Sequence, residues 1–315
     1  MGERTRYRSF VADSDRWDGF ECRADDIIIS TPPKCGTTWT QMLCALLIFD
    51  TDDLPRPLTE LSPWLDMQLR PKEAVFEHLA AQQHRRFIKT HTPLDGLPDD
   101  DRVTFVCVGR DPRDVSLSWQ NHMANIDVDV FVAARASAVG LDDLAELGPP
   151  PEPPADDPTD QFWRWAEPAD GAGTHETLPG VLHHMGTFWD RRDADNVVLL
   201  HFSDLSADLP AEMRRLADAL EIEVTDARLE ELAKAAAFDR MKERASHLAP
   251  VATQRIWRDD AAFFHRGTSG QWRDVLEDSD RQRYAARVAS LVPADLAAWA
   301  HSGRSSDGSW GGVAS

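Results

Sequence analysis

Short runs of continuously apolar residues alternate along the chain with stretches whose apolar positions recur at helical spacing. Asp26-Ile27-Ile28-Ile29-Ser30 reads as a buried strand, and Thr37 to Phe49 follows with Trp39, Met42, Leu43, Leu46, Leu47 and Phe49 on a helical period. Arg86 to Thr90 and Arg102 to Val108 predict a second and a third strand. Asp111-Pro112 has the form of an N-cap followed by proline at the first helical position, which predicts a helix to about Met123. Asn196 to Phe202 predicts a fourth strand, and Leu209 to Leu220 a helix after it. Uninterrupted apolar strands separated by helices imply an α/β domain with a central parallel sheet covered by helices on both faces.

One stretch breaks this rhythm. Residues 148–180 are rich in Pro, Gly and Asp, with Trp163 and Trp165 among them, and are too long for an ordinary connection. The stretch is either a floppy insertion or a lid over the site, and aromatics inside a polar loop favour the lid. Residues 304–315, rich in Ser and Gly, read as a flexible tail behind a single domain spanning 1–303.

Composition narrows the function classes. Of 315 residues, 42% are hydrophobic, enough for a substantial core, and 54 acidic against 34 basic residues give a net charge of −20. So acidic a chain repels phosphate on average, which argues against nucleic acid as a partner. Any anionic ligand must be held by a local cluster of basic side chains and backbone N–H groups. Cys22, Cys35, Cys44 and Cys107 form no Cys-x-x-Cys pair and no zinc spacing, so free thiols in a reducing compartment and no metal site are expected. The first ten residues have no apolar signal region, and the longest apolar run, near Met42–Phe49, is too short to span a bilayer. A soluble, cytoplasmic protein is the expectation.

The most informative segment lies between the first strand and its helix: Ser30-Thr31-Pro32-Pro33-Lys34-Cys35-Gly36-Thr37-Thr38-Trp39. A strand–loop–helix junction aims helix N-terminal N–H groups at one point beyond the sheet edge, where an anion is favoured. Lys34 adds a positive charge, Gly36 lets backbone approach closely, and Thr37 and Thr38 add hydroxyls. It is not a Walker A loop, in which the lysine follows the glycine. A proline-rich turn carrying a surface lysine is the plainer alternative.

Pro33-Lys34-Cys35-Gly36-Thr37-Thr38-Trp39 resembles the P-K-S-G-T-T-W loop of the sulfotransferases that use 3′-phosphoadenosine 5′-phosphosulfate (PAPS), with Cys35 for the usual Ser. Phe87 to Leu94 is similar to the family's L-K-T-H-L-P-L segment, and Val108 to Trp119 to its A-R-N-x-x-D-V-x-x-S stretch. His265-Arg266-Gly267-Thr268-Ser269-Gly270-Gln271-Trp272 is similar to its C-terminal R-K-G-x-x-G-D-W loop, with His265, Arg266 and Gln271 as departures. The four segments stand in family order between about Asp26 and Val275.

The resemblance implies a P-loop-like fold and sulfuryl transfer from PAPS, leaving 3′-phosphoadenosine 5′-phosphate (PAP). It implies His91 as general base, with Lys89 and Lys34 stabilising the transferring group. It implies Lys34, Cys35, Gly36, Thr37 and Thr38 at the 5′ end of the nucleotide. Arg110, Ser118, His265, Arg266 and Gly267 would take the 3′-phosphate, and Trp39 and Phe238 the two faces of the adenine. His265 in place of arginine would make nucleotide affinity sensitive to pH. Phe202 stands where many relatives carry a tyrosine and is left out of the site for want of a hydroxyl. The acceptor is expected to be a small or lipid-like alcohol or phenol, with Trp64, Phe76, Phe131, Trp163 and Trp165 either lining its site or, more in keeping with their size, lying in the core. The dimerisation motif of many cytosolic relatives is not visible near the C-terminus. Two competing readings are a P-loop kinase or NTPase and a non-catalytic PAP-binding protein on the same fold. The misplaced lysine speaks against the first, and retention of Lys34, Lys89 and His91 together against the second.

Overall fold

The structure, a computed structural model, describes residues 4–147, 153–168, 176–248, 256–263 and 267–304, apart from the side chains of 246, 247 and 261. Four parallel strands lie side by side in the order β2-β1-β3-β4: β1 Ile27–Ser30, β2 Phe87–Thr90, β3 Thr104–Gly109 and β4 Val197–His201. Ile29 pairs with Lys89 on one side and Val106 on the other, and Gly109 pairs with His201. The chain leaves β1 for β2 on one flank and returns to β3 on the other. The crevice beyond the C-terminal ends of β1 and β3 is therefore the switch point, where open α/β sheets bind ligands.

Side chains alternate along each strand, so both faces are greasy. Ile28, Ile88, Phe105, Cys107, Val197 and Leu199 enter one core, and Ile27, Ile29, Phe87, Val106, Val108, Val198 and Leu200 the other. Continuous apolar runs were needed because each strand buries both sides, and each such side chain contributes roughly 1.5–3 kcal/mol.

The helices are α1 Thr37–Phe49, α2 Leu58–Leu61, α3 Lys72–Ala81, α4 Pro112–Ala124, α5 Val128–Val139, α6 Pro158–Ala166, α7 Leu178–Trp189 and α8 Phe202–Ala207. After them come α9 Leu209–Ala219, α10 Asp226–Ala235, α11 Phe238–Glu243, α12 Ala245–Leu248, α13 Asp260–Phe263, α14 Asp278–Leu291 and α15 Ala294–Ser302. The first helix covers the same face as α9 and α10, whereas α7, α14 and α15 cover the other. Asp111 caps α4 by accepting from the Arg113 N–H, with Pro112 in its first turn, as the sequence predicts.

The described part of the Pro/Gly/Asp-rich stretch contains a core helix, α6. Asp157 caps α6 and Pro158 opens it, and Phe162, Trp163 and Trp165 are buried in the main core. Trp163 Nε1 donates to Asp280 Oδ1 at 2.8 Å. Trp163, Trp165 and Phe131 are thus core residues, and Phe76 packs against the main core. Among the described residues, no helix is long and apolar enough to cross a membrane.

Candidate active site

The loop from Thr31 to Gly36 leaves β1 at the switch point and feeds α1. It turns through two left-handed residues, Lys34 at φ +70° and Gly36 at φ +112°. At Gly36 a Cβ would make only ordinary contacts with Phe202 and Val108, so glycine is required there by the backbone angle rather than by space. Thr37 and Thr38 begin the helix, and the Thr37 and Thr31 hydroxyls are 2.5 Å apart. The Cys35 side chain is fully buried in the core, its thiol pushed up to about 12 by burial. Cys35 N–H donates to Pro32 O at 3.3 Å. Replacing the family's serine thus removes a hydroxyl from a place that faces apolar neighbours.

Three cations converge on this loop. The Arg110 guanidinium, 6% exposed at the end of β3, donates to Lys34 O at 2.9 Å and Thr268 O at 3.2 Å. It lies 4.2 Å from the centre of the Phe202 ring, and its buried Nε has no partner among the described residues. Lys34 Nζ lies 3.3 Å from His122 Nδ1 and 4.6 Å from the centre of the Phe263 ring. Lys89 Nζ lies 4.2 Å from the centre of the Trp64 ring. Burial, then the neighbouring charges of Arg110 and Lys89, lowers Lys34 to about 7; burial lowers Lys89 to about 7 against the pull of Asp66. Other buried basic side chains are tied to carboxylates, as Arg86 is to Asp26 and Arg135 to Asp143, or, like Arg16, to backbone carbonyls. Among the described residues, no ion pair includes Lys34, Lys89 or Arg110. In a chain of net charge −20, three gathered basic side chains without ion-pair partners among the described residues suit an anion.

His91 follows β2 directly. Its Nδ1 donates to Thr31 O at 2.7 Å, since a carbonyl can only accept. The neutral ring therefore carries its proton on Nδ1, and Nε2 is its basic nitrogen. The ring meets Trp64 edge-on, with centroids 4.6 Å apart.

The other sequence-derived residues fall into two groups. Trp39 Nε1 donates to Ala236 O at 2.9 Å, and its ring meets Phe202 edge-on at 5.4 Å. Gly267, at φ +63°, is so close to Phe238 that a Cβ would come within 2.4 Å of the ring. Trp39, Phe238 and Gly267 therefore border the Arg110 side of the crevice. Ser118 lies on α4 one turn after Asp114 and one turn before His122, so the three share a helix face. Asp114 Oδ2 accepts from Gly270 N–H and His122 faces Lys34, which sets Ser118 on the face turned to the site. Arg113 pairs with Asp111 and stacks on Trp272 at 3.6 Å. His265 and Arg266 lie outside the described residues.

Sequence reasoning missed Phe202, His122 and Asp66. Phe202 offers Arg110 a ring face, which needs no hydroxyl. His122 shares the α4 face of Asp114 and Ser118, a spacing that by itself marks no contact with Lys34. Beside Lys89 a narrow cleft is walled by Leu58, Trp64, Met67, Leu69, Val75 and Leu248, so Trp64 does border an apolar site.

Comparison with known proteins shows the family. The sulfotransferase domain family matches residues 24–292. A protein of Mycobacterium bovis named glycolipid sulfotransferase is 48% identical over 96% of each chain, and one of Mycobacterium tuberculosis is 47% identical over 96% of each. Sulfotransferase 1A1 of Rattus norvegicus is 23% identical, covering 87% of this chain and 86% of its own. Among solved structures, retinol dehydratase in complex with retinol and PAP superposes with a TM-score of 0.67 at 21% identity, over 89% of this chain and 84% of that one. A mouse sulfotransferase complexed with PAP gives 0.61 at 17% identity, over 89% of each. The chain belongs to the sulfotransferase domain family and is a sulfotransferase.

Proposed function

We propose that this sulfotransferase moves a sulfuryl group from PAPS to a hydroxyl of a glycolipid. The observation that carries the nucleotide half is the buried cation cluster. Arg110 joins the β1–α1 loop to Thr268, keeps an unpaired Nε, and lies with Lys34 and Lys89 outside every ion pair among the described residues. Bidentate arginine suits a phosphate. Arg110, Ser118 and the loop of Gly267, with His265 and Arg266, hold the 3′-phosphate. Gly36, Thr37, Thr38 and the backbone of Lys34 and Cys35 hold the 5′ end, and Trp39 and Phe238 flank the adenine. Base stacking on such rings contributes about 1–3 kcal/mol each.

His91 Nε2 takes the proton from the acceptor hydroxyl as its oxygen attacks sulfur. The bond from sulfur to the phosphate oxygen breaks, and PAP leaves. Lys34 and Lys89 stabilise charge on the sulfuryl oxygens and the departing phosphate. PAPS, when bound, supplies the sulfuryl group. The apolar cleft beside Lys89 suits an alkyl chain, and the glycolipid class is supported by the names of the two mycobacterial relatives. Retention of Lys34, Lys89 and His91 together favours catalysis over a PAP-binding role alone.

Transfer of radiolabelled sulfate from PAPS to a panel of purified glycolipids tests this reading. Label in at least one glycolipid, lost with His91→Ala, is expected; label appearing only in simple phenols would overturn the acceptor assignment.

A further inference from the structure

Beneath Lys89 and His91 lies a carboxylate that the transfer reaction does not itself use. Asp66 is fully buried. Its Oδ1 accepts from Trp64 Nε1 at 2.5 Å. Its Oδ2 accepts from Trp17 Nε1 at 3.2 Å, Thr92 Oγ1 at 2.6 Å and Thr90 Oγ1. Indole N–H groups only donate, and both hydroxyls point their protons at the same oxygen, so the surroundings are built for an ionised carboxylate. Burial holds the carboxyl above the usual carboxylate range, against the pull of the four donors.

Three of these four partners, Trp64, Thr90 and Thr92, touch or flank the candidate catalytic pair. Trp64 presents its face to the Lys89 ammonium and meets the His91 ring edge-on. The segment carrying it is pinned to β2 by Lys89 N–H donating to Pro63 O and Leu65 N–H donating to Lys89 O. Thr90 and Thr92 stand immediately before and after His91, and Thr92 N–H donates to Thr90 Oγ1 at 2.9 Å.

We propose that Asp66 is a positioning residue: through Trp64, Thr90 and Thr92 it fixes where Lys89 and His91 stand, and its negative charge favours the protonated form of Lys89. The inference rests on the roles proposed above for Lys89 and His91. The charged and titratable groups around Lys89 are Lys34 from the β1–α1 loop, His122 from α4, Asp66 from the segment after α2 and Arg70, which lines the same cleft, with His91 two residues on. Of these only Asp66 is negative. Burial alone would drive the Lys89 proton off, and Asp66 opposes that.

The chain has only five lysines, Lys34, Lys72, Lys89, Lys234 and Lys242, so Lys89 can be followed in nucleotide-free enzyme by NMR of carbon-13-labelled lysine, assigned with Lys89→Arg. Asp66→Asn keeps the shape and removes the charge. The Lys89 titration is expected to move down by at least about half a pH unit, or roughly threefold in its ionisation constant. Trp64→Phe keeps a ring but cuts its bond to Asp66, and is expected to move the titration down by less. It serves as the test should Asp66→Asn fail to fold. A Lys89 titration unmoved in whichever variant folds overturns the inference, because a merely structural role would not change it. The nucleotide reading is judged separately: PAP added to the wild-type enzyme must raise the Lys89 titration, and if it does not, that reading fails whatever Asp66 does.

Discussion

Lys34 and His122 face each other across the crevice, the lysine Nζ 3.3 Å from the histidine Nδ1. An ammonium donates and Nδ1 accepts, so His122 is neutral here; burial and the charges of Lys34, Lys89 and His91 hold it well below the usual histidine range. Lys34 thus has a neutral partner rather than a carboxylate that an incoming anion would have to displace.

The sign of the pH dependence follows. Burial lowers both Lys34 and Lys89 to about 7, so their cationic forms prevail below that pH and fade above it. A bound phosphate favours the cations and raises both values. PAP affinity is therefore expected to fall several-fold between pH 7 and 8.5, with proton uptake on binding at pH 8. Calorimetry in two buffers of different ionisation enthalpy measures both, and equal affinities with no proton uptake would refute the lysine assignment.

Arg110→Ala is expected to weaken PAP by roughly 100-fold, the scale of two lost charge-assisted hydrogen bonds. Adenosine 5′-phosphate, which lacks the 3′-phosphate, should lose much less, about fivefold, through the loosened Lys34 carbonyl. Equal losses for both nucleotides in a binding titration would place the 3′-phosphate elsewhere.

His91→Ala should abolish transfer while PAP affinity stays within about threefold, because the ring's mapped contact is to a backbone carbonyl beside the anion loop. Turnover surviving within tenfold of wild type would remove His91 from the role of base.

Gly267→Ala forces a side chain onto a left-handed residue and to within 2.4 Å of the Phe238 ring. The loop or the ring must shift, and PAP binding is expected to weaken at least tenfold while the melting temperature changes by only a few degrees. Unchanged PAP affinity would mean that neither Gly267 nor Phe238 borders the nucleotide.

Most of the sheet was legible because each strand buries both faces and so reads as an unbroken apolar run; β1 and β3 fall within a residue or two of the predicted bounds. The helix opened by Asp111-Pro112 was legible from its cap. An identical Asp-Pro signal at Asp157-Pro158 opens α6, but the Pro- and Gly-rich surroundings concealed a core helix. Phe202 begins α8 rather than ending β4. The cation cluster was legible as separate motifs, since loop, strand end and helix each carry a local pattern. His122 was not, because its contact with Lys34 joins residues 88 apart in sequence and a histidine on a helix announces nothing by itself. Asp66 was silent for the same reason: its partners Trp17, Trp64, Thr90 and Thr92 meet only once β2 is docked.

The central claim is a site for a nucleotide carrying a 3′-phosphate. Thermal stability measured with PAP, adenosine 5′-phosphate and ATP with magnesium tests it most directly. Saturating PAP should stabilise the protein by about 2.7 kcal/mol at a hundred times its dissociation constant, with adenosine 5′-phosphate far weaker at equal concentration. No shift with PAP, or a larger one with ATP and magnesium, would contradict the account.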